Sequence, residues 1–227
     1  MLKYFITLFL IVGASNITFS QKTDVGNWFM YFGNQKINDK WSFWNEVQYR
    51  NYNFAGDLEQ LLLRTAIGYN LTENNNTIYL GYGFIRSEPY IAGTNNKRVV
   101  NEHRIYQQFM TKQSIGRISL THRYRFEQRF IGEIFKLRLR YFLSAQIPLN
   151  NASLIPKTFY LSAYNELFAQ VKSPIFDRDR FYGGLGYVIN PSLRLEIGFL
   201  QQYYENSNRP QFQFLFFNNY PFPNKNK

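Results

Sequence analysis

The sequence contains no cysteine among its 227 residues. This absence excludes a disulfide framework and any metal site built on thiolates. Histidine is almost as scarce, because only His103 and His122 are present and each stands alone. Two isolated histidines give no recognisable spacing of metal ligands, so the sequence predicts no metal site and no bound cofactor.

Long hydrophobic runs are also missing. Beyond residue 21 no stretch reaches about 18 consecutive apolar residues, which predicts that this part has no transmembrane helix. One shorter run, residues 4–12, follows Lys3 and precedes small and polar residues up to Ser20. This order is typical of a secretory signal peptide, and the run is too short to cross a bilayer about 30 Å thick. We therefore predict cleavage after Ser20, between a signal peptide, residues 1–20, and one mature domain, residues 21–227.

Acidic residues are in the minority. The chain has 26 lysines and arginines against 15 acidic residues, a net charge of +11. Such an excess is compatible with nucleic acid, with anionic lipid or with an acidic partner, and a solvated basic surface is the simplest explanation. Because the predicted signal peptide directs the chain away from nucleic acid, we expect no nucleic-acid partner.

What the mature sequence does have is an alternation of apolar and polar residues with a period of two. Residues 135–147 show it most clearly, and residues 118–130 repeat it. In the first segment one face is apolar: Phe135, Leu137, Leu139, Tyr141, Leu143, Ala145 and Ile147. Only a β-strand separates these side chains from the polar ones, since successive residues point to opposite faces. Long strands with one apolar and one cationic face suit a sheet between lipid and water.

Eleven segments of this kind are predicted as strands: residues 27–35, 41–52, 58–71, 77–85, 101–110, 118–130, 135–147, 159–169, 180–189, 193–204 and 211–217. A soluble β-sandwich would have strands of about 5 or 6 residues, whereas several of these exceed ten. Bacterial single-chain barrels have even strand numbers, so we expect ten or twelve strands and favour twelve. The predicted fold is an all-β, antiparallel transmembrane β-barrel of about 10 to 12 strands.

Four short pieces of sequence resemble a known family. They are Asn-Trp-Phe-Met at residues 27–30, Lys-Trp-Ser-Phe at 40–43, Glu-His-Arg-Ile-Tyr-Gln-Gln at 102–108, and the glycine-rich residues 179–187. The chain looks like the envelope proteins that carry domain of unknown function 2490, and the likeness covers nearly all of the mature part. The resemblance implies an outer-membrane barrel and no established activity, so it supplies no catalytic residues.

Basic residues cluster on the predicted inner face of the two clearest strands. They form a strip whose members are Arg123, Arg125, Arg129, Lys136, Arg138 and Arg140. The acidic residues predicted on inner faces are Glu46, Glu102, Glu127, Glu166 and Glu196. A narrow barrel has to fill its lumen, and arginine paired with glutamate across strands is the simplest polar filling. Alternatively, the basic strip favours small anionic solutes in a pore, or a phosphate-bearing lipid head group near a rim.

A lipid-modifying hydrolase or acyltransferase is the alternative function, because some outer-membrane barrels carry a serine and histidine pair on the lipid-facing wall. His122 falls on the apolar face of its strand, which is unusual for a lone imidazole. Ser119 and Thr121 point to the opposite face, and neither histidine sits in a serine motif. We therefore expect a protein without enzymatic activity and name no catalytic residue.

Aromatic residues near the predicted strand ends suit a membrane interface. They are Trp28, Trp41, Tyr69, Tyr203, Tyr204 and Tyr220, and the last strand carries the alternating aromatics of residues 212–216. That last strand resembles the C-terminal strand that barrel-assembly machinery reads, although residues 221–227 trail beyond it. We therefore predict that the protein resides in the cell outer membrane of a Gram-negative envelope, with membrane lipids and the assembly machinery as partners.

Overall fold

The computed structural model describes residues 25–72 and 75–222, so the predicted signal peptide lies outside the described residues. The strands in these ranges are, in chain order, β1 (Gly26–Lys36), β2 (Trp41–Asn51), β3 (Leu58–Asn70), β4 (Asn76–Ser87), β5 (Val100–Ile115), β6 (Ile118–Ile131), β7 (Ile134–Pro148), β8 (Phe159–Gln170), β9 (Phe176–Asn190), β10 (Leu193–Tyr203) and β11 (Asn208–Asn218). The same ranges hold no helix that would span a bilayer.

The strands form one closed barrel in which each strand pairs with its neighbours in the chain. Ten of these pairings are antiparallel, and the barrel closes through a parallel pairing of β1 with β11. The expectation of an even strand number is therefore wrong for the described residues. When an odd number of strands alternate in direction, the first and the last strand run in the same direction. A parallel ladder between them can still provide hydrogen-bond partners for the backbone groups of both edge strands. Gly26 lies beside Gln211, and Gly33 lies beside Asn218.

Side chains alternate between the two faces of the barrel wall as the sequence predicts. On β3, Leu63 and Ile67 are more than 40 % exposed on the outer face, whereas Arg64 and Ala66 are buried inside. The pairing of β6 with β7 sets Glu127 opposite Arg138 on the inner face. The barrel therefore has an apolar exterior and a polar interior, the reverse of a soluble domain.

Aromatic side chains form cross-strand pairs on the outer face toward both ends of the barrel. Their ring centroids lie between 4.7 and 5.9 Å apart in four such pairs: Trp41 with Tyr69, Phe159 with Tyr187, Phe130 with Phe135, and Phe181 with Tyr203. Pairs of this kind stabilise adjacent strands and fix their register. Aliphatic residues such as Leu139, Leu167 and Leu185 fill the outer face between them.

The two ends of the barrel carry different connections. End A is the end at which β1 begins, and it holds the long connection between β4 and β5, residues 88–99. End B is the end at which β1 finishes, and its longest connection joins β7 to β8, residues 149–158. Gly116 at end B and Gly132 at end A open two-residue turns with a φ of 57°, a left-handed conformation that glycine adopts without steric cost.

Candidate functional site

The interior of the barrel is organised around shared carboxylates. Glu127 on β6 is fully buried and accepts hydrogen bonds from two arginines of β7: 2.6 Å from Arg138 Nη2 and 2.6 Å from Arg140 Nη1. The antiparallel register places these side chains on adjacent strands at the same level. Ion pairs removed from water need such close, charge-assisted geometry to offset their desolvation.

A second carboxylate extends this network around the wall. Glu166 on β8 lies 2.5 Å from Arg140 Nη2, 2.7 Å from Arg123 Nη2 and 3.4 Å from Arg180 Nη1. Arg140 therefore bridges Glu127 and Glu166. The result is a continuous chain of ion pairs from β6 to β9.

Asp177 is an acidic member of the network that sequence reasoning missed. Its carboxylate lies 3.0 Å from Arg138 Nη1 and 2.7 Å from Arg178 Nε. The register between β8 and β9 shifts here, because Phe168 pairs with Arg178 and the next residue pairs with Phe176. This bulge turns Asp177 toward the interior, whereas strict alternation would point it outward. The sequence signal for it was weak, since the residue lay in a predicted connection.

Two further glutamates neutralise arginines nearby. Glu102 lies 2.6 Å from Arg104 Nε and 2.5 Å from Arg129 Nε, and Glu46 pairs with Arg64 on the neighbouring strand. All of these side chains are buried or nearly so. Four of the five acidic residues named from the sequence are thus in contact with interior arginines.

The fifth acidic residue, Glu196, lies in a different environment. It accepts a hydrogen bond of 2.8 Å from the Tyr160 hydroxyl and one of 3.0 Å from Gln146 Nε2. No lysine or arginine of the described residues lies within ion-pair distance of it. Arg194, two residues earlier, donates to Gln146 instead.

The predicted basic strip is only partly brought together. Arg123, Arg125, Arg138 and Arg140 lie in the interior, and Arg129 is nearly buried toward end A. Lys136 is exposed near the turn between β6 and β7, so it lies apart from the network. Tyr106 packs 4.4 Å from the Arg125 guanidinium carbon, a cation–π contact that the alternation pattern alone does not reveal.

Two aromatic rings, those of Phe168 and Trp28, pack against interior arginines. The guanidinium carbons of Arg140 and Arg180 lie 4.5 and 4.6 Å from the Phe168 ring centroid. The prediction that Trp28 lies at the membrane interface is wrong, because its ring is buried inside the barrel, 3.7 Å from the Arg50 guanidinium carbon and 5.0 Å from that of Arg180. Guanidinium groups stack on aromatic faces more readily than ammonium groups do, which explains why arginine rather than lysine fills this region.

A layer of arginines lies between two cavities in the lumen. The cavity at end B has a volume of about 200 Å³, and that at end A has a volume of about 260 Å³. Four arginines line both cavities and are called the arginine layer: Arg50, Arg64, Arg140 and Arg180. Five more line the cavity at end A: Arg98, Arg104, Arg129, Arg138 and Arg178. Glu102 is the acidic residue among the described side chains of that wall.

The connection between β4 and β5 covers part of end A. Tyr90 and Lys97 pair across this connection, and Lys97 forms an ion pair with Asp57 of the neighbouring connection. The Tyr90 hydroxyl donates to the same carboxylate at 2.8 Å, which raises the pKa of Tyr90. These contacts hold Arg98 at the mouth of the cavity.

The two histidines of the outer face bond to tyrosine and glutamine side chains. Both ring nitrogens of His122 are engaged, one with the Tyr141 hydroxyl at 2.9 Å and the other with Gln113 Nε2 at 3.0 Å. His103 is bonded to the Tyr82 hydroxyl at 2.6 Å. Within the ranges that the structure describes, no serine is hydrogen-bonded to either histidine, and no group of three or more potential metal ligands comes together.

Comparisons with known proteins cover the part of the chain that contains this site. A family model described as "Protein of unknown function (DUF2490)" matches residues 25–213. An uncharacterized protein of Methylorubrum extorquens is 31% identical over 170 residues, which cover 71% of each chain. No solved structure matches the chain. The family match extends from just before β1 into β11 and includes every arginine that lines the two cavities.

Proposed function

We propose that this chain, which belongs to the family of proteins of unknown function DUF2490, spans a bacterial outer membrane. There it forms a narrow passage that favours anions. The single observation that carries the proposal is the arginine layer between two cavities. The predicted signal peptide and the resemblance to envelope proteins support the location.

The apolar outer face supports a position within lipid. Large exposed hydrophobic residues occur on every strand, for example Leu80 at 61 %, Leu139 at 52 % and Ile197 at 50 %. A soluble monomer rarely exposes a contiguous apolar patch larger than a few hundred Å². The aromatic pairs toward each end fit the two interfacial girdles of a membrane barrel. A bilayer would cover this surface and leave both cavities facing water.

The interior charges support a preference for anions. Nine arginines line the cavity at end A, whereas five carboxylates pair with arginines of that wall, so basic residues are in excess there. The residues of the arginine layer are each at most 7 % exposed. Rings of arginine in a low-dielectric pore attract anions and repel cations. The close packing of these side chains predicts a small conductance, well below that of an open, water-filled porin.

Fractionation tests the location. Expressed with its signal peptide in a Gram-negative host, the protein should sediment with outer-membrane markers and resist extraction with carbonate. It should also migrate faster on a denaturing gel before boiling than after it, as a closed barrel does. Recovery as a soluble monomer in the periplasm would contradict the proposal.

Planar-bilayer recording tests the passage. Under a potassium chloride gradient the purified protein should give a small current whose reversal potential indicates chloride preference. Arg50→Gln removes one charge from the arginine layer without leaving a paired carboxylate behind, so it should reduce that preference. The matched control is Arg86→Gln, because Arg86 is at the same end but on the outer face, paired with Glu88. A silent or cation-selective barrel would refute the passage.

A further inference from the structure

Arg50 on β2 is a buried charge without a carboxylate partner. The residue is 6 % exposed, and its guanidinium donates to Gln48 Oε1 at 2.5 and 3.1 Å and to Gln60 Oε1 at 2.9 Å. No acidic side chain of the described residues lies within 4.0 Å of it. Burial of a charge is expensive unless an opposite charge compensates for it. Neutral amide oxygens supply only part of that compensation.

The neighbours of Arg50 add to the positive charge. Arg180 packs on the same Trp28 ring, and its nearest carboxylate, Glu166, is 3.4 Å away and already shared with two other arginines. Arg64 also lines this cavity and is 5 % exposed; its Nη1 pairs with Glu46, but its Nε atom has no hydrogen-bond partner among the described residues. Several guanidinium donors thus converge on the cavity at end A with donor capacity to spare.

We propose that the cavity at end A binds a small, multiply charged phosphate-type oxyanion, of which pyrophosphate is the simplest example. Guanidinium groups match the geometry of phosphate oxygens and bind them in pairs of parallel hydrogen bonds. A cavity must offer at least about 10 to 15 Å³ to hold one water molecule, so a cavity of about 260 Å³ accommodates an anion of several heavy atoms. The bound anion would supply the counter-charge that Arg50 lacks.

The ligand is soluble rather than a membrane lipid. The cavity lies inside the barrel wall, and its mouth is bordered by Pro89 and Arg98 of the connection between β4 and β5. Acyl chains of a phospholipid would have to enter a lumen lined by arginine, at a high desolvation cost. The exposed Arg98 is placed to meet an anion that arrives from water.

This site rests on the anion-favouring lumen proposed above, but binding does not require that current flow. Isothermal titration calorimetry on the full-length mature protein, folded in a zwitterionic detergent, tests it with pyrophosphate, inorganic phosphate and dihexanoyl phosphatidate. Pyrophosphate should bind at one saturable site and more tightly than phosphate. Arg50→Gln should weaken its binding more than about tenfold, the effect expected on losing a charge-assisted hydrogen bond. Arg98→Gln, which leaves the interior packing intact, should weaken it several-fold.

Arg194→Gln is the matched control, because Arg194 lines only the cavity at end B. It removes the same charge from the lumen and should leave pyrophosphate affinity unchanged. The proposal is overturned if wild type shows no saturable binding, if Arg194→Gln and Arg98→Gln weaken binding equally, or if only phosphatidate binds. If the Arg50→Gln variant does not fold, the pyrophosphate affinity of Arg98→Gln tests the proposal in its place. A protein that binds pyrophosphate but is silent in bilayers would retain this site and refute the passage.

Discussion

Replacement of Glu127 by glutamine is the sharpest perturbation of the interior network. The substitution keeps the shape of the side chain but removes the charge that Arg125, Arg138 and Arg140 share. Removal of one partner from a buried ion pair costs about 3 to 5 kcal/mol. Asp177 still contacts Arg138 and Glu166 still contacts Arg140, whereas buried Arg125 loses its carboxylate partner among the described residues, so we expect a loss of about 4 kcal/mol.

Urea unfolding of the protein in lipid vesicles, followed by tryptophan fluorescence, measures this free energy. Glu88→Gln is the control, because Glu88 pairs with Arg86 outside the lumen and should cost less than about 1 kcal/mol. The double variant Glu127→Gln with Arg138→Gln should be more stable than the sum of the single effects predicts, since it removes a charge on both sides. A Glu127→Gln loss below about 1 kcal/mol would show that the network does not hold the barrel together.

Two further predictions concern the wall and the ends of the barrel. A Cβ on Gly186 would come within 2.1 Å of the Tyr160 ring, whereas one on Gly183 would meet nothing within 4 Å. In thermal unfolding, the Gly186→Ala variant should therefore be less stable than the wild type by about 1 to 3 kcal/mol, and the stability of Gly183→Ala should be nearly unchanged. Because β1 and β11 are parallel, residues 25 and 222 lie at opposite ends of the barrel. A protease added to intact cells should therefore remove a tag from one terminus only. Loss of the tags from both termini would contradict the parallel closure.

The strands and their orientation could be predicted because alternation is a local signal. The predicted segments 118–130 and 135–147 agree with β6 and β7 to within one residue at each end. Within them, Arg125, Glu127, Arg138 and Arg140 are buried inside, whereas Tyr124 and Leu139 are exposed outside, and Lys136 departs from the predicted inner face near the turn. A side chain's face depends only on its position along its own strand.

The closure of the barrel and the contacts between lumen side chains could not be predicted, because both depend on residues far apart in the sequence. Whether β1 meets β11 in parallel is settled by the whole sheet and not by either strand. Asp177 turns inward because of a bulge, which alternation cannot anticipate. The sequence predicts Glu196 on the inner face as a possible partner of lumen arginines, but the register sets it beside Tyr160 instead. The isolation of Arg50 likewise became visible only with its neighbours in place.

Contact between the outer face and lipid is the central claim, and tryptophan quenching by brominated lipid measures it directly. The three tryptophans are Trp28 and Trp44, which line the interior, and Trp41, which is 42 % exposed on the outer face. In vesicles of lipid brominated near the head group, fluorescence of the wild type should fall, and Trp41→Phe should abolish most of that decrease. Fluorescence unaffected by brominated lipid, but quenched by aqueous acrylamide at Trp41, would contradict a membrane-spanning barrel.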